Sequence, residues 1–169
     1  MADLARVLAR YRVRLGMAAA VVAFWLANPT PRTVAAGAAV ACVGEALRLW
    51  AAGHLEKGRE VTASGPYRFT RHPLYVGSSI MGVGLAIASA NMAVALLVAV
   101  YLTLTVSAAI RSEESHLTEK FGDAYPEYRE GRAEDVVRRF SWQRAFANRE
   151  YRSMAGLGVA LALLMLKAL

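Results

Sequence analysis

Apolar residues in this chain are gathered into long runs rather than spread evenly along it. The four longest cover residues 15–27, 33–52, 74–90 and 92–110, and a shorter run covers 154–169. A helix needs roughly 20 apolar residues, within a range of about 17 to 25, to cross the hydrocarbon core of a bilayer. The second, third and fourth runs reach that length, whereas the first and the last are marginal.

Each run predicts a helix, because a segment in lipid must satisfy its own backbone hydrogen bonds. The expected fold is therefore an all-α, multi-pass transmembrane bundle of about five helices. A chain of 169 residues suits a single domain covering 1–169. Its central motifs would occupy 44–132, and an interfacial helix followed by the last span would occupy 136–169.

Turn-forming residues mark the expected ends of these helices. Residues 28–31 and 89–91 are typical of tight turns between successive runs. Pro73 suits the first turn of the third helix, where a backbone N–H has no partner to lose. The fourth helix is expected to continue beyond the membrane surface to Lys120 and to stop at Gly122.

Basic residues predict how the bundle is oriented. Most of them lie before the first run, between the second and third runs, and between residues 111 and 152, whereas the other side has only Arg32 and Lys167. Cytoplasmic loops are enriched in Lys and Arg, so a cytoplasmic N-terminus and a bacterial inner membrane are expected. Anionic headgroups account for the net charge of +7. Membrane lipids, and no nucleic acid, are the expected partners.

A mixed aromatic and basic segment precedes the last run. In it, Val136, Val137, Phe140, Trp142 and Phe146 alternate with Arg138, Arg139, Arg144 and Arg149. This mixture is typical of a helix that lies in the membrane interface with its arginines toward the headgroups. A solvated basic connector is the alternative.

Two charged residues interrupt the second apolar run. Glu45 and Arg48 are three positions apart, so they can pair on one helix face. Each charge near a helix centre costs about 2.5 to 3.5 kcal/mol of insertion free energy, which the pairing offsets in part. The pair is expected either to line a substrate cavity or to lock helices together.

Two polar clusters adjoin the third and fourth runs. Arg71 and His72 lie just before Pro73, where the free N–H groups of a helix start favour an anion. Glu113 and Glu114 follow the fourth run and point about 100° apart on a helix, so one can face the protein and the other water. We expect the two clusters to meet around a charged cofactor at the membrane surface.

Metal and dinucleotide chemistry are not expected. Glu113 and His116 form one Glu-x-x-His unit, whereas a di-iron site in a helical bundle needs two. Gly82 and Gly84 lack the third glycine and the preceding strand of a dinucleotide fingerprint. Helix packing through small residues explains them, although they would also allow a ligand to approach the backbone.

Together these residues resemble the superfamily of integral membrane methyltransferases that includes the isoprenylcysteine carboxyl methyltransferases and the phospholipid methyltransferases. The similarity covers roughly residues 44–132. It is carried by Gly44-Glu45-Ala46-Leu47-Arg48-Leu49-Trp50-Ala51, Gly65-Pro66-Tyr67, Arg71-His72-Pro73-Leu74-Tyr75-Val76-Gly77, Glu113-Glu114-Ser115-His116-Leu117, Phe121-Gly122-Asp123-Ala124-Tyr125 and Tyr128.

The resemblance implies methyl transfer from S-adenosyl-L-methionine to a lipophilic acceptor in the bilayer. By resemblance the cofactor pocket would be formed by Arg71, His72, Pro73, Tyr75, Gly77, Glu113 and Glu114, with Tyr125 and Tyr128 helping to close it. Gly82 and Gly84 match the glycine pair of the phospholipid branch, whereas the region of Arg48 is closer to the carboxyl branch.

The acceptor remains open at this stage. A carboxylate acceptor would need a cation such as Arg48 or Arg71 to orient it, and an amine acceptor would need a base, with His72 or a glutamate as candidate. Glu45, Arg48, Arg71 and His72 are thus the expected catalytic group. The first hypothesis is carboxyl methylation, as in the isoprenylcysteine enzymes. The alternatives are phospholipid amine methylation, a nicotinamide-dependent membrane reductase and a non-enzymatic membrane adaptor.

Overall fold

The computed structural model describes residues 16–132 and 138–169, and within these residues it contains helices and turns but no strand. In this described part of the chain, five apolar α-helices form a bundle, two short α-helices lie at one end of it, and Gly65–Arg68 forms a short 3-10 helix. The helices are α1 (Gly16–Leu26), α2 (Pro31–His54), α3 (Pro73–Ser89), α4 (Met92–Phe121), α5 (Ala124–Arg129), α6 (Trp142–Ala147) and α7 (Tyr151–Ala168).

The lengths of the apolar helices confirm an all-α, multi-pass membrane bundle. Among the described residues, α2, α4 and α7 are long and apolar enough to cross a membrane. The last run was expected to be marginal, yet α7 meets that length. Conversely, the third run was expected to reach spanning length, but α3 has 17 residues and is among the shorter apolar helices. It extends roughly 25 Å at about 1.5 Å per residue.

The helix ends agree with the turn signals in the sequence. α3 begins at Pro73 with His72 as its N-cap. Ala90 then takes a left-handed conformation, and the Asn91 side chain accepts hydrogen bonds from the first N–H groups of α4. α4 ends at Phe121, where Gly122 has a φ of 55°. The expected hairpin and stop are both confirmed.

One end of the bundle is held by hydrogen bonds between its turns. The Asn28 backbone N–H donates to the Ser89 carbonyl at 2.8 Å, and the Asn91 side-chain Nδ2 donates to the Leu26 carbonyl at 2.7 Å. We call this the hairpin end. The opposite end, where α2 stops at His54 and α3 starts at Pro73, is called the polar end.

α2 and α3 pack backbone to backbone through small residues. A Cβ added to Gly84 would lie 2.5 Å from the Ala41 nitrogen and 2.6 Å from the Gly37 oxygen. A Cβ added to Gly77 would lie 2.7 Å from the Gly44 oxygen. Only glycine permits this approach, as in other membrane helix pairs that associate through small residues.

The segment before α7 corrects one expectation. Arg144 Nε donates to the Gly53 carbonyl at 2.8 Å, Arg138 donates to the His54 carbonyl at 3.4 Å, and the Asn148 amide donates to the carbonyls of Ala52 and Leu55. These groups satisfy the carbonyls that the end of α2 leaves without intrahelical partners. The prediction that Arg138 and Arg144 face the headgroups is therefore wrong.

The other two arginines of this segment, Arg139 and Arg149, are exposed, and several of its aromatic side chains are exposed as well. Phe140, Trp142 and Phe146 are exposed around α6, and amphipathic aromatic rings suit the level of the headgroups. Val136 and Val137, which belong to the same predicted helix, lie outside the described residues.

α7 is attached to the rest of the bundle at both ends. At the polar end, Glu150 forms an ion pair with Arg48. At the hairpin end, Lys167 Nζ donates to the carbonyls of Phe24 at 2.6 Å and Trp25 at 3.1 Å. The last helix thus packs on the core, next to α2 and α1.

Candidate functional site

The two polar clusters predicted from the sequence meet at the polar end. His72 Nε2 lies 3.1 Å from Glu114 Oε1, and Arg71 donates to the same oxygen at 3.2 Å. The two acids differ in position: Glu114 is half-buried against these partners, whereas Glu113 is exposed. Helix α4 therefore presents one carboxylate to the start of α3 and the other to the surroundings.

A tight loop before α3 places Tyr67 beside this contact. Gly65 has a φ of 59°, and a Cβ there would lie 2.6 Å from the His54 ring, so the loop lies directly against the end of α2. His54 is in turn fixed by a 2.9 Å contact between Nδ1 and the Trp50 carbonyl. The Tyr128 hydroxyl donates to the Tyr67 carbonyl at 2.7 Å and brings α5 over the loop.

Three tyrosines of the polar end are held in the neutral form. Burial, helped by the nearby Glu113 carboxylate, raises the pKa of Tyr67 well above its ordinary range. Burial raises the pKa of Tyr128 to about 12. Burial and the Glu114 carboxylate raise the pKa of Tyr125 to about 12. The buried Tyr125 hydroxyl lies near Glu114 without reaching hydrogen-bond geometry.

A cavity of about 460 Å³ opens beside these residues. Its walls combine aromatic rings with cations, supplied by Tyr67, Phe69, Tyr128, Arg68, Arg71 and Arg129. The volume lies within the roughly 300–1,000 Å³ typical of small-molecule sites. We call it the polar cavity.

A second polar group surrounds Arg48, inside the bundle. Arg48 donates from Nε and Nη2 to the two carboxylate oxygens of Glu150, at 2.7 Å and 3.2 Å. It also donates to the Ser78 hydroxyl and to the Leu74 carbonyl on α3. The two-pronged contact with Glu150 is the strongest geometry available to an arginine, so Arg48 is fixed in place.

Glu45 joins the same group through a serine of α7. Ser153 accepts a hydrogen bond from Arg48 at 3.2 Å and donates to Glu45 Oε2 at 2.7 Å. The predicted pair of Glu45 and Arg48 is longer, at 4.0 Å. Glu45 is 8% exposed, and its Oε1 has no hydrogen-bond partner among the described residues.

An apolar cavity of about 710 Å³ begins at Arg48 and extends through the bundle. Residues of α1, α3, α4 and α7 form its walls. Arg48, Ser78 and Ser153 supply polar atoms at one end, and leucine, valine and alanine side chains, with the backbone of glycines, line most of the remainder. We call it the apolar cavity.

Tyr67 lines the polar cavity and lies near the charges around Arg48. Its pKa is raised mainly by burial; the carboxylates of Glu113 and Glu150 raise it further, and Arg48 lowers it. Arg48 is also bonded to Leu74, in the first turn of α3, directly after the His72 contact. The polar end of the apolar cavity therefore lies close to the contact between His72 and Glu114.

The glycines predicted to bind the cofactor do not lie at the contact between His72 and Glu114. Gly77 and Gly84 are buried against α2, where close helix packing accounts for them. Gly82 faces α4 instead: it lines the apolar cavity, and a Cβ there would lie 2.6 Å from Leu102. Pro73 and Tyr75 remain beside His72, with the Tyr75 ring 5.9 Å from the imidazole.

Sequence reasoning missed Glu150 and Ser153, the partners that α7 gives to Arg48 and Glu45. The available signal was Glu150 itself. It lies shortly before the last apolar run, and no basic residue lies three or four positions after it in the sequence. No group of three His, Cys, Asp or Glu side chains placed to hold a metal ion occurs in residues 16–132 and 138–169.

Comparison with known proteins identifies the family. Residues 12–124 match the model of the phospholipid methyltransferase family. Because this match includes well over half of the chain, the protein belongs to the phospholipid methyltransferase family. Family membership and the apolar helices make it an integral membrane protein.

Three curated relatives match shorter segments. The chain is 37% identical over 87 residues to the nickel-cobalt-cadmium resistance protein NccN of Alcaligenes xylosoxydans xylosoxydans, covering 50% of this chain and 39% of the relative. It is 35% identical over 96 residues to the cobalt-zinc-cadmium resistance protein CzcN of Cupriavidus metallidurans, covering 56% and 41%. It is 36% identical over 73 residues to the protein-S-isoprenylcysteine O-methyltransferase of Schizosaccharomyces pombe, covering 43% and 31%.

These alignments cover less than half the length of each relative. No solved structure matches the chain.

Proposed function

We propose that this protein is a membrane methyltransferase that uses S-adenosyl-L-methionine and methylates a lipophilic acceptor drawn from the bilayer. One observation carries the proposal: a cavity lined by arginines and aromatic rings lies beside the polar end of a long apolar cavity. The first suits a water-soluble, charged cofactor. The second suits a greasy acceptor.

The residues around the polar cavity have the chemistry that the cofactor requires. Arg68, Arg71 and Arg129 suit its carboxylate. The rings of Tyr67 and Tyr128 suit stacking with adenine and attraction of a sulfonium to an aromatic face. Glu114 holds His72 and Arg71 together at the edge of this region. In this assignment, Pro73, Tyr75 and Tyr125 shape the wall around them, and Glu113 adds negative charge.

The cofactor supplies a methyl group attached to a positively charged sulfur. The acceptor atom forms a bond to that carbon while the carbon–sulfur bond breaks, and the sulfur keeps the electron pair. The protein must chiefly align the acceptor and exclude water, and such positioning is worth up to roughly 7 to 11 kcal/mol in ideal cases. For an amine acceptor, His72 takes the released proton and Glu114 orients its ring.

The first candidate acceptor is a carboxylate, as the name of the similar isoprenylcysteine O-methyltransferase suggests. Arg71 is half-exposed and borders the polar cavity, so it is the cation that would orient such a group. Arg48 suits this task less well, because its guanidinium is already engaged by Glu150, Ser153, Ser78 and Leu74.

An amine acceptor is the second candidate, and the charges around Arg48 favour it. Two carboxylates, Glu45 and Glu150, lie around one guanidinium. Among the described residues, Glu45 Oε1 has no hydrogen-bond donor, and an unpaired buried acceptor costs about 1 to 3 kcal/mol. Glu45 does not line the apolar cavity, but Arg48 and Ser153 beside it do, so an ammonium or amine group at that end of the cavity would be attracted by the two carboxylates.

The polar end is proposed to face the cytoplasm of a bacterial inner membrane. Arg68, Arg71, Arg129 and Arg138 all lie at this end, as the enrichment of basic residues on cytoplasmic sides predicts. This orientation gives the polar cavity access to a soluble cofactor. It also leaves the apolar cavity within the bilayer.

The test combines cofactor binding with methyl transfer. Purified wild-type protein should bind S-adenosylhomocysteine in a calorimetric titration, and membranes supplied with methyl-labelled S-adenosylmethionine should yield a labelled lipid or protein. Glu114→Gln should weaken binding about tenfold or more, because charge-assisted hydrogen bonds contribute about 1.5 to 3 kcal/mol. Glu113→Gln should have a smaller effect, and Glu119→Gln, an exposed acid on the same helix, should have none. A wild-type protein that binds no S-adenosylhomocysteine would refute the proposal.

A further inference from the structure

Helix α7 lies outside the segment that matches the family, yet it forms a wall of the apolar cavity. The family match ends at residue 124, and α7 covers Tyr151–Ala168. α7 contributes Ser153, Gly156, Val159, Ala160, Leu163 and Leu164 to the lining. Its first turn also supplies the polar groups that hold Arg48.

The apolar cavity is elongated along the helices. On α7 its lining extends from Ser153 to Leu164, and on α3 from Ser78 to Ser89. Both stretches cover eleven helical steps, or roughly 16 Å at about 1.5 Å per residue. That length is about half of the roughly 30 Å hydrocarbon core. The shape suits a hydrocarbon chain lying parallel to the helices, about one leaflet deep.

The polar atoms orient such an occupant. Arg48, Ser78 and Ser153 are at one end, next to the polar cavity. The far end is formed by residues such as Leu97 and Leu164 and by Ser89, whose hydroxyl already donates to the Ala86 carbonyl. A molecule with a polar head and a single hydrocarbon chain would place its head beside Arg48 and its chain toward the hairpin end. A soluble polar ligand would leave most of this lining without a partner.

Small residues on α7 keep the path of the chain open. Gly156 lies one turn beyond Ser153, and a Cβ there would meet no heavy atom within 4 Å. Ala160 lies one turn farther along the same wall. Since Gly156 lines the apolar cavity and a Cβ there meets open space, a larger side chain at this position is expected to narrow the cavity.

We propose that the apolar cavity holds the single hydrocarbon chain of the acceptor, and that α7 limits the length of chain accepted, with Gly156 as the deciding position. The proposal rests on the proposed methyl transfer, since it names the class of molecule that the reaction consumes. It makes α7 the specificity element of this chain.

The chain offers a matched control for this test. Gly158 lies on α7 two positions from Gly156, and a Cβ at Gly158 also meets no heavy atom within 4 Å, but Gly158 does not line the apolar cavity. Replacing either glycine by leucine makes the same chemical change in the same helix. Leucine also has the better helix propensity of the two residues, so both variants should fold.

The experiment uses the full chain in phosphatidylcholine nanodiscs and photoreactive fatty alcohols of graded length, each with a diazirine on its terminal carbon. Crosslinks that an excess of unlabelled fatty alcohol suppresses should map to residues near Leu97 and Leu164 in the wild type. In Gly156→Leu, the competed labelling by the longest probes should fall by about tenfold or more, since several buried methylenes are displaced. The shortest probes should label as before, and Gly158→Leu should behave as the wild type.

The outcomes separate this proposal from the methyltransferase assignment. Equal effects of the two leucines, or labelling that competitor does not suppress, would overturn the cavity proposal. Binding of S-adenosylhomocysteine should be unchanged in both variants. Loss of that binding in Gly156→Leu alone would also count against the cavity proposal, because the change would then act on the cofactor site. If the labelling of the wild type depends on probe length but the protein binds no S-adenosylhomocysteine, the methyltransferase assignment would be refuted instead.

Discussion

The two sides of the bundle are packed in opposite ways. α2 and α3 meet through glycine and alanine with their backbones in contact. α1, α4 and α7, together with the other face of α3, surround a cavity of about 710 Å³. The tight pair carries Arg48 and positions His72, both of which must be held in a fixed geometry. The open side has few polar groups and leaves room for a ligand. In this bundle, α3 thus joins a closely packed side to an open one.

The polar contacts of Glu150 join these two sides, and removing them should have the largest effect on stability. Glu150→Ala leaves the Arg48 guanidinium without its main partner, and Glu150 is only 5% exposed. Breaking a buried pair in this way typically costs about 3 to 5 kcal/mol of folding free energy. Thermal unfolding of the detergent-solubilised protein, followed by circular dichroism, measures this cost.

Glu60→Ala is the matched control. Glu60 also contacts an arginine, Arg138, at 2.6 Å, but its side chain is 40% exposed, and surface pairs contribute about 0 to 1 kcal/mol. Similar losses for both variants would contradict the view that Glu150 joins the two sides.

Overpacking tests the tight side directly. Gly84→Leu places a side chain against the backbone of Ala41 and Gly37, so the upper part of the usual cost of about 1 to 3 kcal/mol is expected. Gly158→Leu, on the open side, should leave the unfolding temperature unchanged or slightly raised. If both variants unfold at the same temperature, the contrast between the two sides is not real.

The smallest effect concerns the phenol of Tyr125 and appears only at high pH. Its pKa is raised from 10.0 to about 12, so the folded state keeps a proton that the unfolded state releases. Ionisation therefore does not affect folding stability below about pH 10, and folding stability falls as the pH rises toward 12 because the unfolded state releases the proton first. Tyr125→Phe should flatten the fall in unfolding temperature across that interval.

At neutral pH the same variant should be close to neutral or mildly stabilising, because the hydroxyl lies near Glu114 but reaches hydrogen-bond geometry with none of the described residues. A clear loss of stability at neutral pH would show that Tyr125 makes a contact that the structure lacks.

Local signals in the sequence predicted the helices and their ends. Pro73, Asn91 and Gly122 act on the backbone next to them, so their effect can be read without knowing the fold. The contact of His72 with Glu114 was also predictable, because both flank apolar runs that end on the same side of the membrane. Which of the two adjacent acids faces inward was not, since it depends on the rotation of α4.

Contacts made by the last quarter of the chain could not be predicted. Glu150 and Arg48 are 102 positions apart, and apolar periodicity does not show which neighbour α7 packs against. The segment that contains Arg138 and Arg144 looks amphipathic in sequence. However, the two arginines bind carbonyls at the end of α2, which the sequence does not show. The sequence around Gly77 and Gly84 is compatible either with a ligand or with a neighbouring helix. Only the structure shows that the α2 backbone occupies the space beside both glycines.

Lys167 has a consequence for biogenesis. By bonding to the final carbonyls of α1, it closes the ring of helices at the hairpin end, so the chamber has no complete wall until α7 has entered the bilayer. A ribosome-bound intermediate that has inserted only the first four apolar helices could pack its α2–α3 pair but would lack the α7 wall of the apolar cavity. The cavity would then be completed in a single late step of membrane insertion.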